Sequence, residues 1–253
     1  MRIRHGITAL ALAAAAFGAQ GQVASKPDGR WRYAIGAGAT LAAGNSESAA
    51  LTINGDAAYQ DAARKITLYG NAAYGKSDDV VNTHHMAAGN RWNWELATPW
   101  FVFGQGDWFR DRLANLSYRV AANGGLGHHV WRHDNGDFWD LSAGLGYSRD
   151  EYSVPTLVAD ELRTRYGRFE ALVASESQHA LSDTTTLKQR LALLPNLDEH
   201  GEYRATFDAG IAVRMTRQLA LTATLAVRRN SDPGTGVKKN DTLFVTGVTW
   251  RVE

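Results

Sequence analysis

Between Glu202 and Thr216 every second residue is apolar. Tyr203, Ala205, Phe207, Ala209, Ile211, Val213 and Met215 alternate with Glu202, Arg204, Thr206, Asp208, Gly210, Ala212, Arg214 and Thr216. Successive side chains of an extended strand point to opposite faces, so this segment has one greasy face and one small, polar or charged face. A helix cannot sort these residues in that way, because its period is 3.6 rather than 2. The next segment repeats the pattern, with Leu219, Leu221, Ala223, Leu225 and Val227 on one face. The last does so again with Phe244, Thr246, Val248, Trp250 and Val252.

The same period divides the chain into about twelve strands, near 32–43, 48–61, 65–75, 82–95, 100–110, 117–131, 138–149, 165–179, 185–195, 202–214, 218–229 and 241–252. Most exceed the ~5–6 residues of a soluble strand and reach the ~9–11 that a tilted membrane strand needs. Twenty-five glycines against five prolines suit a β-rich chain with tight turns.

The N-terminus has a different layout. Met1 to His5 is basic, Ile7 to Phe17 is apolar, and Ala19-Gln20-Gly21 offers a small-x-small cleavage site. The apolar run is too short to span a bilayer as a helix, and the order is that of a secretory signal. The expected organisation is therefore a cleaved signal over 1–21, a short segment over 22–31, and a barrel over 32–253.

The connections sort by side. Ala62 to Arg64, Leu96 to Pro99, Arg132 to Asp137, Leu181 to Thr184 and Met215 to Arg217 are short. The alternate set is Lys76 to Val81, Asp111 to Leu116, Asp150 to Thr164, Asn196 to Gly201 and Asn230 to Asn240, mostly longer and rich in Asp, Asn, Gly and Pro. Gly44 to Glu47 breaks the trend. Short periplasmic turns and longer outer loops are the outer-membrane barrel pattern. The tryptophans agree: Trp31, Trp92, Trp94, Trp100, Trp139 and Trp250 fall at the expected periplasmic strand ends, as does Trp131, although its parity puts it on the polar face. Tyr74, Tyr118, Tyr147, Tyr203 and Trp108 fall at the opposite ends. Amphipathic rings gather where membrane meets water.

A soluble sandwich also alternates, with its apolar face inside. Strand length, connection asymmetry, the aromatic girdles and the export signal together turn that face outward, to lipid. Lipid offers no hydrogen-bond partners, so the sheet must close. The sequence thus predicts an all-β fold, a closed antiparallel up-and-down transmembrane β-barrel. Its polar row would enclose Arg91, Asp107, Arg119, Asp140, Arg168, Glu170, Glu176, Lys188, Arg190, Arg204, Asp208 and Arg214. An Arg or Lys on the lipid face at mid-membrane would cost roughly 2–4 kcal/mol. Such a row either lines a narrow pore or forms an ion-paired filling; twelve strands favour the filling.

Several short stretches, in order, resemble the YdiY-like putative salt-induced outer-membrane proteins. They are Gly44-Asn45-Ser46, Tyr74-Gly75-Lys76-Ser77, Phe103-Gly104-Gln105, Arg110-Asp111-Arg112, Gly144-Leu145-Gly146-Tyr147, Gly201-Glu202-Tyr203-Arg204 and Lys239-Asn240-Asp241-Thr242-Leu243. The resemblance implies a bacterial outer-membrane barrel and a link to salt stress, and carries no catalytic residues. It departs at the C-terminus, where Trp250 and Val252 stand in place of the usual Tyr-x-Phe and Glu253 follows.

Other chemistries fare worse. A formal charge of +1 with no basic stripe gives no sign of a nucleic-acid partner. There are no cysteines, so a zinc site would need His and carboxylates. In His84-His85 and His128-His129 the neighbours face opposite sides, so neither pair chelates from one face, and no carboxylate spacing completes a site around His85 and His129. An outer-membrane phospholipase would need a His-x-Ser motif; no His here has Ser two residues later, and the nearest arrangement is His179 with Ser182. Gly36-x-Gly38, Gly124-Gly125-x-Gly127 and Gly144-x-Gly146 lie within strands with no helix following, which removes a nucleotide fingerprint. Acidic stretches at Asp78-Asp79 and from Asp232 onward read as solvated loops rather than Ca²⁺ sites. The expectation is a non-enzymatic barrel without cofactor or metal, whose partners are outer-membrane lipids and the barrel assembly machinery. A small diffusion channel and, behind it, a lipid-modifying enzyme are the alternatives.

Overall fold

The computed structural model describes residues 27–42, 48–96, 98–133, 135–233 and 238–252. The expected signal over 1–21 and the Gly44–Glu47 connection lie outside the described residues. The chain forms twelve strands: β1 (Arg30–Ala42), β2 (Ser48–Gln60), β3 (Arg64–Ser77), β4 (Val80–Glu95), β5 (Trp100–Asp111), β6 (Leu116–Arg132), β7 (Phe138–Val158), β8 (Glu161–Ala180), β9 (Thr185–Pro195), β10 (Tyr203–Arg214), β11 (Leu219–Asn230) and β12 (Asn240–Val252). Each pairs antiparallel with its sequence neighbour, and β12 pairs with β1 to close the barrel. Closure pairs the two edges of the sheet over the five residue pairs from Tyr33↔Val252 to Ala37↔Val248, which a sheet in lipid needs.

One rim of the barrel, here called proximal, carries the start of β1 and the end of β12; the other is distal. Proximal turns are short and held by their own side chains. Asp61 accepts from the amides of Ala63 and Arg64 at 2.8 and 2.9 Å. Thr216 Oγ1 accepts from the Leu219 amide at 3.0 Å, and Ser182 Oγ from the Thr185 amide at 3.1 Å. Such local side-chain acceptors are why Asp, Ser and Thr recur at turns.

The distal rim differs from the expectation of long loops. Lys76 to Val81 contracts to a tight turn at Asp78 and Asp79, whose φ values are 48° and 60°. The stretch from Asp150 to Thr164 is not a loop: β7 and β8 run on through it to a turn at Ala159 and Asp160, with φ of 50° and 58°. Two consecutive left-handed residues are the hairpin geometry that matches strand twist, and Asp tolerates it better than most side chains.

Inside and outside follow the sequence parity. Outward residues such as Leu145, Phe169 and Phe244 are among the most exposed apolar side chains, while charged residues of the opposite parity are buried. Trp131, the exception in parity, is moved by the backbone. The β6–β7 register slips between His129 and Trp131, so Trp131 pairs with Trp139 and its ring packs 5.5 Å from His179 on the outer surface. An inserted residue of this kind flips every later side chain to the other face. Gly124, Gly125 and Gly144 sit where β6 and β7 press together: a Cβ on Gly144 would lie 2.3 Å from the Gly124 carbonyl oxygen. That close approach is their role here.

Candidate functional site

The interior is filled by ionic side chains linked across strands. Fully buried Asp150 accepts two hydrogen bonds of 2.5 Å from Arg119 Nε and Nη2, and Arg168 lies 3.5 Å from it. Arg168 Nε also donates to Glu170 at 3.2 Å, and Glu170 takes the guanidinium of Arg204 through Nε at 2.9 Å and through Nη2. Asp150, Arg168, Glu170 and Arg204 thus alternate in sign along β7, β8 and β10. Charges this deeply buried are tolerated only when paired and hydrogen-bonded.

A second group crosses the lumen. Gln105 Oε1 accepts from Arg91 Nη1 at 3.2 Å and from Arg190 Nη2 at 3.1 Å, joining β4 to β9 through β5. Its amide nitrogen donates to Asp107 at 2.6 Å, and the Tyr69 hydroxyl donates to the same carboxylate. Gly89 makes room for that pair, since a Cβ there would lie 2.5 Å from the Tyr69 hydroxyl oxygen. Arg228 donates to Asp208. Near the proximal rim His129 is held between two carboxylates, with Nδ1 2.7 Å from Asp140 and Nε2 2.9 Å from Glu95. Both ring nitrogens are therefore occupied. Among the described residues no set of three or more His, Asp or Glu is placed to hold a metal ion.

The polar row is interrupted by apolar side chains. Phe101 and Phe103 of β5 pack against Leu172, Ala174, Ala192 and Leu194 of β8 and β9 across the barrel. Phe101 stacks 4.6 Å from the His129 ring, and Arg91 lies 4.1 Å over Phe103. A distal cluster joins Tyr69, Phe109, Leu116, Tyr152, Val158 and Tyr166. Val158 is 2% exposed, although it ends β7 beyond the wall. The β7–β8 pairing is broken between Glu151 and Thr156, and beyond the break the hairpin packs into this cluster. The Ala159 amide at its tip donates to Asp232 at 2.9 Å, which ties it to the β11–β12 connection. The hairpin therefore lies over the distal mouth as a strap.

What space remains is divided. Among the described residues, cavities of about 20, 60, 90 and 70 Å³ follow one another along the interior. Adjacent cavities share wall residues: Glu176 and Arg190 between the first two, Thr224 between the second and third, Arg228 between the third and fourth. Each is large enough for water, which needs about 10–15 Å³ by this measure.

Of the charged residues read from the sequence, Arg91, Asp107, Arg119, Asp140, Arg168, Glu170, Arg204 and Asp208 are buried. Glu176, Lys188 and Arg190 line the cavity of about 60 Å³. Arg214 is a correction. It keeps the inward parity but stands at the proximal end of β10, exposed, where Nη2 donates to the Asp183 carbonyl. The wall ends before its side chain is covered. Trp31, Trp92, Trp94, Trp100, Trp139 and Trp250 all face outward. Sequence reasoning missed Asp150, assigned to a loop, and the carboxylate pair around His129. It also missed Phe101, Phe103 and Phe109 as interior groups, although they share the parity of Gln105 and Asp107.

An apolar outer face, a closed antiparallel wall and an ion-paired interior define a transmembrane β-barrel. The chain belongs to the family described as "Protein of unknown function, DUF481", which it matches over residues 35–251. Uncharacterized protein YdiY of Escherichia coli (strain K12) is 24% identical over 173 residues, covering 66% of this chain and 68% of that one. Among solved structures, the translocator domain of autotransporter NalP from Neisseria meningitidis is similar at a TM-score of 0.48 and 11% identity, over 88% of this chain and 87% of that one. The NanC porin is similar at 0.44 and 10% identity, over 87% of this chain and 97% of that one.

Proposed function

We propose that this protein is a non-enzymatic outer-membrane barrel, shut at rest, that supports the bacterial envelope under salt or osmotic stress. The proximal rim then faces the periplasm, the tryptophan girdle meets lipid at that side, and export and insertion use a signal peptide and the assembly machinery. One observation carries the shut state: Gln105 ties Arg91 to Arg190 across the lumen, beneath a strapped distal mouth. The salt link is supported by the family resemblance alone. Two experiments test the reading. Purified barrel in a planar bilayer should give no single-channel steps, and a deletion strain should lose growth at high salt and regain it with the wild-type gene. Steps of stable conductance from the unmodified protein, or deletion without a growth phenotype at high salt, would refute the respective half.

The row of cavities favours a second reading, a narrow regulated channel. Successive cavities touch through Arg190, Thr224 and Arg228, so movement of a few side chains would join them.

A further inference from the structure

The barrel is closed by its weakest ladder. β1 and β12 pair only from Tyr33↔Val252 to Ala37↔Val248, five residue pairs, whereas β1 and β2 pair along their whole length from Arg30↔Gln60 to Ala42↔Ser48. Distal to Ala37 and Val248 both strands continue, each paired on its other side only. At the end of the ladder the two backbones still touch, since a Cβ on Gly247 would lie 2.5 Å from the Ala37 carbonyl oxygen and one on Gly38 2.8 Å from that of Thr246. The Gly38 and Gly247 carbonyls belong to the ladders with β2 and β11, where each also accepts from a threonine hydroxyl, of Thr52 and Thr222, at 3.3 Å. Past this contact β1 and β12 exchange no ladder bonds, and in lipid such backbone groups are costly, which makes this half of the seam the weak place in the wall.

Two hollows meet at this place. Outside, a shallow apolar depression of about 540 Å³ runs over Ala39, Ile211, Val213, Leu221 and Val248. Inside lies the cavity of about 90 Å³, and the two share Gly38, Thr222 and Gly247 as their common wall. On the β11–β12 side the inner cavity carries Ala226, Leu243 and Val245, with Thr222 beside them. Its polar lining includes Asn71 and His85 with the charged Asp56 and Arg228. His85 is 3% exposed, and its Nδ1 has no hydrogen-bond partner; the buried Asn71 Oδ1 has none either. Leaving such atoms unmatched costs free energy that a polar ligand group would recover.

We propose that the unzipped half of the β1–β12 seam is a lateral portal, and that the cavity behind it binds a fatty-acid-like amphiphile taken from the outer leaflet. The acyl chain lies against Leu243 and Val245, and the head is the neutral acid, its O–H donating to Asn71 Oδ1 and its carbonyl oxygen accepting from His85 Nδ1–H. This inference rests on the membrane-spanning reading. It does not need the stress role or the shut axial path.

The test uses the full-length barrel in phospholipid vesicles with photoactivatable palmitate that carries a diazirine near its methyl end. Mass spectrometry maps the adducts after illumination. Adducts are expected on inward Leu243 or Val245 as well as on lipid-facing Leu221 and Phe244. A disulfide between A39C and T246C, which would face each other if the ladder continued, should abolish the inward adducts and leave the outward ones; reduction should restore them. The native chain has no cysteine to interfere. H85F should lower inward labelling roughly fivefold, the effect of one lost hydrogen bond. Hydrogen exchange supplies an independent readout that needs no disulfide. Amides of β12 directed at β1 should exchange roughly tenfold faster from Leu243 to Gly247 than from Val248 to Val252. Uniform protection along β12, inward residues that never label, or equal inward labelling in oxidised and reduced forms would overturn the portal. Absence of label on Leu221 and Phe244 as well would instead sink the membrane-spanning reading.

Discussion

Arg204 and Glu170 offer a direct measure of what the interior charges contribute. Glu170 is 1% and Arg204 5% exposed, and their contact is two-pronged. Replacing Arg204 with Met strands the Glu170 carboxylate with Arg168 Nε at 3.2 Å as its remaining ionic partner. Stranding a buried charge outright costs about 3–5 kcal/mol. One retained partner brings the expected loss for R204M to about 2–3 kcal/mol. E170L strands Arg204, and the expected loss is about 3–4 kcal/mol. Arg168 suffers less, because Asp150 remains 3.5 Å away. The double variant removes both charges and fills the space with apolar groups, so its loss should be about 2 kcal/mol or less. The two sites should therefore couple by at least ~3 kcal/mol in a double-mutant cycle. Guanidinium unfolding of the barrel in detergent micelles, followed by tryptophan fluorescence, measures all four forms. If the double variant loses the sum of the single losses within about 0.5 kcal/mol, the pair is not an interacting unit and the argument from buried pairing fails.

Val173 is 56% exposed on the outer face of β8, so V173R should cost roughly 2–4 kcal/mol of barrel stability; a change near zero would place that face against something other than lipid. The carboxyl of Asp61 sits at about 2 against an ordinary 3.8, chiefly because the Ala63 amide and then the Tyr59 hydroxyl bind its charged form. A depressed folded value stabilises above 3.8 and loses that contribution as pH falls through about 2, so the stability gap between wild type and D61N should close over that window in acid titrations of unfolding. R190A combined with D232A loosens the wall between two cavities and frees the strap tip, and should produce conductance in planar bilayers where the native protein is silent. A silent double variant would show that the interior is blocked elsewhere.

The number of strands and their in-out parity were legible because lipid enforces them: wherever a strand crosses the bilayer, a misplaced charge is costly, so the sequence keeps a period of two along most of each strand. Phe207 and Asp208 show that directly. Where the chain leaves the bilayer that constraint lapses. Glu151 to Arg163 alternates poorly and contains Pro155, so it reads as a loop, yet ladder bonds and the burial of Tyr152 and Val158 make it a hairpin. The His129 cluster was hidden for another reason. Glu95 and Asp140 lie 34 and 11 residues from it, and only the stagger of β4, β6 and β7 brings them together. Trp131 depended on one slipped residue, which composition does not announce.

The strap over the distal mouth is continuous with two staves of the wall. It bends where pairing lapses between Glu151 and Thr156, and one hydrogen bond to Asp232 moors its tip. A cover attached in this way stays tethered at its base to β7 and β8. Excising 152–163 and joining the staves with a two-residue turn would remove that cover and leave the tie of Gln105 to Arg91 and Arg190 as the barrier behind it.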